Sequence, residues 1–286
     1  MENKNLALIW VIIQVVLTAL LILLTKYVFE LGIEPLNFSY QILLASVIYL
    51  FIYVLFKEPK ALVNMDKKSL LIIVPAGILG GAIAYGFGFL GLQKSTAINY
   101  TFLTQTTVFF TPVLAFFFLK EHLKLHKAAL IFALLLGAYL VSANGKFILP
   151  KISDIYILLG AVAVSSSIIL TKIALKKVPT LTFSMYRALF GGISLLIFLL
   201  VINKVSFDFN WYWIAIVGLV VAAGIYSMNK ALEYGSASYM QMMNTSVPVI
   251  TAIFAYLILG ESMTPIQIVG AALIIASGFF VHKLKM

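Results

Sequence analysis

Few residues in this sequence are equipped for chemistry, and they come in matched sets. Thr101, Thr104 and Gln105 stand at i, i+3 and i+4 within an apolar run, so a helix presents them on one face. Gln241, Asn244 and Thr245 occupy the places 140 positions later than Thr101, Thr104 and Gln105. Gln14 and Thr18 are one turn apart in the first apolar run, and Tyr85 and Tyr226 lie at nearly equivalent depths in two others. Arg187, the only arginine beside nineteen lysines, falls well inside a further run. Hydroxyls, carboxamides, phenols and one guanidinium bind a solute through reversible hydrogen bonds. They are poorly suited to breaking covalent bonds, which needs a convergent nucleophile, base or metal.

No such set is present. Asp66, Asp154 and Asp208 lie between the apolar runs. His122 and His126, at i and i+4, could share a metal ion but have no third ligand in view, and the chain contains no cysteine. No catalytic residue, metal site or cofactor is therefore expected. The polar faces also admit a plainer role, in which they hold helices together by hydrogen bonds inside hydrocarbon. Arg187 likewise has a plain alternative, snorkelling to the interface or tying down carbonyls at a helix end.

The elements that must position these groups are dictated by composition. Of 286 residues, 63% are hydrophobic and 10% are charged, against about 25% charged in an ordinary soluble domain. A bilayer-crossing helix needs roughly 20 apolar residues. The sequence supplies ten such runs, near 6–29, 35–56, 69–92, 96–119, 127–144, 155–175, 180–202, 211–232, 236–259 and 265–282. The first is too long for a signal-peptide core and has no small-residue cleavage site, so it reads as a retained span. The net charge of +10 is spread over short loops, a pattern of membrane orientation and not of nucleic-acid binding. Fourteen lysines fall on the side of both termini and five on the other. The positive-inside rule then places both termini in the cytoplasm of a multi-pass protein of the plasma membrane.

The chain also resembles itself. Leu24-Thr25-Lys26 recurs as Leu170-Thr171-Lys172, Tyr40-Gln41 as Tyr186-Arg187, and Leu119-Lys120-Glu121 as Leu259-Gly260-Glu261. Two five-span repeats follow, residues 1–146 and 147–286. Because five is odd, the second must lie inverted with respect to the first, with a solute site expected near the midplane between them. The fold expected is an all-α membrane protein of ten transmembrane helices arranged as two inverted five-helix repeats. Lys26 and Lys172 end their helices and read as snorkelling residues. Gly77, Gly80, Gly81, Gly86, Gly88 and Gly91 crowd the third span and read as close packing.

With Met185-Tyr186-Arg187-Ala188-Leu189, Pro248, Ala255-Tyr256-Leu257-Ile258-Leu259-Gly260-Glu261 and Gly270-Ala271-Ala272-Leu273-Ile274, the chain resembles the ten-helix EamA-type branch of the drug/metabolite transporter superfamily over its whole length. The resemblance implies a transporter of small metabolites. Many such relatives move amino acids or similar neutral or zwitterionic solutes outward. Smaller four-helix relatives exchange protons for cationic drugs through a glutamate in their first span, where this chain has Gln14 and no acid. More distant members exchange phosphorylated solutes or nucleotide sugars, which calls for several cationic groups. The reading adopted is a transporter of amino acids or similar solutes working by alternating access, with Gln14, Thr18, Tyr85, Thr101, Thr104, Gln105, Arg187, Tyr226, Gln241, Asn244 and Thr245 as candidate solute contacts. Its partners are the lipid bilayer and a small-molecule substrate, without nucleic acid, in a monomer or homodimer. Proton-coupled drug export and antiport of phosphorylated solutes or nucleotide sugars stand as alternatives.

Overall fold

Buried in hydrocarbon, a backbone must satisfy its own N–H and C=O groups, which leaves helices as the natural solution for long apolar runs. The computed structural model describes residues 3–62, 67–121, 125–143, 151–206, 210–259 and 264–283, and all regular structure among them is helical. Ten spans result. Span 1 is Lys4–Glu30, span 2 Pro35–Lys57 and span 3 Lys67–Gln93. Span 4 comprises Ala97–Thr104 and Thr107–Leu119, and span 5 is Leu125–Ala143. Spans 6, 7 and 8 are Ile152–Ala174, Thr180–Val201 and Trp211–Tyr234. Span 9 comprises Ala237–Asn244 and Val247–Leu259, and span 10 is Pro265–Lys283.

Polar residues at the ends fix where each rod starts. Asn3, Glu34, Thr96 and Ser236 accept the N–H three residues on, and Pro35 follows Glu34 at the first helical position. Thr264 and Gln267 bond reciprocally at the start of Pro265's helix. Side chains such as Ile48, Phe56, Phe117, Phe132 and Ile268 point outward, which in a bilayer is contact with lipid.

The packing obeys a two-fold relation. Span 1 packs on span 8 as span 6 packs on span 3; span 2 packs on span 8 as span 7 packs on span 3; span 1 meets span 9 as span 6 meets span 4. Spans 2 and 7, 4 and 9, and 5 and 10 pair with their own counterparts. The chain thus folds as two inverted five-helix repeats. Asn3 N donates to Tyr234 O at 3.1 Å, and Tyr239 Oη lies 2.9 Å from His282 Nδ1. Asn3 and His282, near the two ends of the described residues, therefore sit at one face, hereafter the terminal face, and the opposite one is the distal face.

Glycines set the closest approaches. Span 3 contains a π-helical segment, Ile78–Ile83, which widens the helix where span 7 crosses it. A Cβ added at Gly81 would stand 2.6 Å from Gly191 Cα, whereas one at Gly86 would make ordinary contact with two side-chain ends, Leu36 Cδ2 at 3.5 Å and Leu195 Cδ1 at 3.7 Å. Gly137 and Gly270 bring spans 5 and 10 together in the same way, each within 3 Å of the other's carbonyl oxygen once a Cβ is added. Backbone cannot retreat as a flexible side chain can. Gly81→Ala is expected to destabilise the protein by about 1–3 kcal/mol, seen as a lower unfolding midpoint in detergent, while Gly86→Ala leaves the midpoint near that of the parent.

Candidate functional site

The interruptions of spans 4 and 9 fall at Gln105–Thr106 and Thr245–Ser246, 140 positions apart like every boundary of their halves. In span 4 the backbone tightens to i→i+3 bonds, Gln105 N to Phe102 O and Thr106 N to Leu103 O. Threonine hydroxyls take up carbonyls there: Thr104 Oγ1 donates to Thr101 O at 2.9 Å, Thr106 Oγ1 to Leu103 O and Thr107 Oγ1 to Thr104 O, both at 2.7 Å. Such side-chain competition bends or opens a helix. Span 9 shows the same i→i+3 pattern at Thr245 and Ser246, with Pro248 one residue into its second half. Irregular backbone at membrane depth is tolerated where it borders a cavity or is enclosed by protein.

A cavity of about 170 Å³ lies between these breaks. Spans 1, 3, 4, 6, 8 and 9 wall it, and span 7 contributes Arg187. Eight expected residues line it: Gln14, Thr18, Tyr85, Thr104, Gln105, Arg187, Gln241 and Asn244. Gln14 Nε2 donates to Thr18 Oγ1 at 2.9 Å. Gln241 Nε2 donates across the repeat interface to Thr107 Oγ1. Gln14 Oε1, Gln105 Oε1 and Asn244 Oδ1 are buried without a hydrogen-bond partner among the described residues. A solute is one means of satisfying such groups.

The remaining three do not reach the cavity. Thr101 Oγ1 turns back to Ala97 O at 2.6 Å, and Thr245 Oγ1 lies within its own helix, 3.4 Å from Gln241 O. Tyr226 packs edge-on against Trp10 and Tyr53, with ring centroids 5.5 and 5.8 Å away. For Tyr226 the reason is register. Gly80, Ala84, Tyr85 and Gly88 of span 3 correspond in the lining to Val220, Gly224, Ile225 and Met228 of span 8, an offset of 140. Tyr226 follows an offset of 141, and one residue on a helix turns a side chain by about 100°.

Arg187 is 4% exposed, and among the described residues no carboxylate pairs with it. Its Nε donates to Ser167 Oγ at 3.3 Å, and Ser167 Oγ donates to Ala76 O at 2.8 Å, just ahead of the π segment. A Cβ built at Gly80 would collide with both Arg187 Nη2 and Ser167 Oγ, so the glycine is what makes room for the guanidinium. Arg187 neither snorkels nor closes off a helix end.

The sequence reading missed Tyr100, Thr107 and Ser167. Tyr100 could have been found, since it stands four residues before Thr104 on the same face. Ser167 gave no signal, because its counterpart in the first repeat is Leu21. The acids behave as end residues. Asp154 lies in the first turn of span 6 and binds Asn99 Nδ2 at 3.0 Å and Lys151 N at 2.8 Å. Glu233 accepts from Thr180 Oγ1 and from Lys230 Nζ, the latter at 2.7 Å. His122, Asp66, Asp208 and Glu261 lie outside the described residues, among which no group of three metal-binding side chains occurs.

The profile of the EamA-like transporter family matches residues 5–143 and again residues 151–282. The chain belongs to this family. It is a multi-span membrane transporter, of the drug/metabolite transporter superfamily. The EamA-like chain is 24% identical over 275 residues to an uncharacterized transporter of Synechocystis, covering 89% of this chain and 79% of that one. It is 28% identical over 252 residues to a riboflavin transporter of Fusobacterium nucleatum, covering 80% and 82%. A third relative, an uncharacterized transporter of Bacillus subtilis, is 24% identical with 87% of each chain covered. Among solved structures, a crystal structure at 14% sequence identity shares the fold, with a TM-score of 0.74 over 95% of this chain and 98% of that one.

If the lining residues hold the solute, losing a hydrogen bond that forms with it weakens binding by about 1–2 kcal/mol. Gln241→Ala and Asn244→Ala are each expected to raise the transport KM roughly 5- to 30-fold. Tyr226→Phe should leave KM unchanged, and kinetics in proteoliposomes distinguish these outcomes.

Proposed function

We propose that this EamA-like transporter moves a small zwitterionic or neutral metabolite, an amino acid or a solute of similar size and polarity, out of the cell by alternating access. Gln14, Thr18, Tyr85, Thr104, Gln105, Arg187, Gln241 and Asn244 are the contacts assigned to it. The observation that carries the reading is Arg187, the one charged side chain in the cavity wall, held without a carboxylate partner among the described residues. A lone buried cation favours a solute that brings one anionic group. The carboxamides then meet its polar remainder. The cavity's size, about 170 Å³, is below the range of roughly 300–1,000 Å³ for drug-sized ligands, which supports a small solute.

Among the described residues, the wall contains no acid that could trade a proton for an organic cation, and one guanidinium is a weak match for a doubly charged phosphate. A second reading rests on the riboflavin transporter of Fusobacterium nucleatum, 28% identical. Tyr85, Phe89 and Tyr100 in the wall offer rings on which a planar heteroaromatic solute would stack.

The excess of lysine on the side of the termini supports a plasma-membrane orientation with both ends cytoplasmic. A fluorescent protein that matures only in the cytoplasm should therefore fluoresce when fused to the C-terminus. A dark but stable fusion would reverse the orientation.

Solute counterflow tests the substrate. Proteoliposomes preloaded with unlabelled amino acids should transiently accumulate labelled amino acid without an ion gradient. Arg187→Gln is expected to lower that accumulation at least tenfold, the factor for losing about 1.4 kcal/mol of binding. Accumulation of labelled riboflavin alone would favour the second reading, and accumulation of neither would remove both.

A further inference from the structure

The two repeats carry one lysine each at equivalent places, and the structure treats them differently. Lys172, near the terminal-face end of span 6, reaches across to span 8. Its Nζ donates to Leu232 O at 2.6 Å and to Gly235 O at 2.7 Å. These are carbonyls at the C-terminal end of span 8, left without helical partners and carrying the negative end of the helix dipole. Lys26, its twin in the Leu-Thr-Lys repeat, lies at the distal end of span 1. There Nζ sits 3.9 Å from Glu30 Oε1 on its own helix.

The register between the copies identifies what Lys26 would bind in the opposite arrangement. Thr96 caps the first half of span 4 through Asn99 N, and Ser236 caps that of span 9 through Tyr239 N. Both caps and both partners are 140 positions apart. Applied to Leu232 and Gly235, the same offset gives Leu92 and Ser95, whose carbonyls end span 3. Among the described residues, no hydrogen bond joins Lys26 to either of them.

The bond that Lys172 makes also spans a natural seam. Span 6 packs chiefly with spans 3 and 4, and span 1 chiefly with spans 8 and 9. The two groups face each other across the cavity. Lys172 ties them at the terminal face. A second tie at that face is Glu121, at the end of span 4, which accepts Ala237 N at 2.9 Å, Ser238 N at 3.2 Å and Ser238 Oγ at the start of span 9.

We propose that Lys172 and Lys26 are exchanging latches of the transport cycle. With Lys172 on Leu232 O and Gly235 O, the terminal face is held closed. When the groups rock, Lys172 lets go and Lys26 takes Leu92 O and Ser95 O, closing the distal face. The inference rests on the alternating-access reading above and deepens it by naming residues that control which side is open. Lysine suits the task because a charged donor on a flexible stem holds a helix end firmly and still detaches when the helix moves away.

The test needs no knowledge of the solute. Because the chain has no cysteine, spin-label pairs can be placed freely on the full-length protein in lipid nanodiscs. Asn5 and Lys177, both exposed, span the seam at the terminal face; Leu31 and Ile152, also exposed, span it at the distal face. Pulsed electron paramagnetic resonance distances should show two populations for each pair. Lys172→Met keeps the stem and removes the charge. It is expected to raise the terminal-face-open population about tenfold relative to the closed one, the effect of losing charged hydrogen bonds, and Lys26→Met to lower it by a similar factor. Lys172→Arg should restore much of the parent distribution, which separates a latch from a general loss of packing.

Two populations that neither methionine variant shifts, in protein that remains monodisperse, would overturn the latch while leaving alternating access standing. A single fixed distance at both faces in the parent and both variants, together with no counterflow of any solute tried, would overturn alternating access itself.

Discussion

Every feature of this molecule answers to one constraint: a peptide group in hydrocarbon has no water to bond with. The constraint makes each long apolar run a helix and confines polar side chains to helix ends, to interhelical bonds or to the cavity wall. It also explains why the interruptions of spans 4 and 9 are informative. A helix opened toward lipid would strand its carbonyls. Here the freed groups are met by Thr104, Thr106 and Thr107, and the breaks border the cavity. Capping follows the same logic between helices. Glu58 receives Thr182 N and Oγ1 at the start of span 7, and Lys172 serves the end of span 8.

How much of this could be read from the sequence depended on whether the information was local. The ten spans are set by runs of apolar residues and the inverted repeat by recurring short motifs, so both were legible. Gln14, Thr18, Thr104, Gln105, Gln241 and Asn244, which line the cavity, stand out in the sequence as carboxamides and hydroxyls in hydrocarbon. Tyr226 falls outside the cavity wall because an offset between copies that is good to one residue is still not good enough on a helix. Thr101 falls outside it for another reason: a threonine can satisfy itself on its own backbone, so its presence on a polar face does not commit it to the cavity. Its counterpart Gln241 is longer and reaches Thr107 in the other repeat.

The partners of Arg187 were not legible at all. Nothing near residue 187 in the chain foretells Ser167 or the π segment of span 3; they meet only once spans 3, 6 and 7 are packed. Lys26 and Lys172 make a related point. Sequence alone gives them one shared description, the snorkelling end of a helix, yet one grips a neighbouring span and the other pairs along its own helix. Two copies of a motif can do different things in one conformation because an inverted repeat puts them on opposite sides of the membrane.

The pseudo-symmetry also leaves the two halves of the cavity wall unequal. Gln14 and Thr18 on span 1 face Gly160 and Val164, their counterparts on span 6. Duplication supplied the architecture, and divergence gave span 1 hydrogen-bonding groups where span 6 has apolar surface. The contact between Gly80 and Arg187 carries that history further. No side chain fits at position 80 while the guanidinium stays in place, so the two positions are not free to drift separately. Across relatives of this protein, a residue larger than glycine at the first position should travel with loss of arginine at the second. That paired variation would divide the family into lineages whose cavities keep a fixed positive charge and lineages that have given it up.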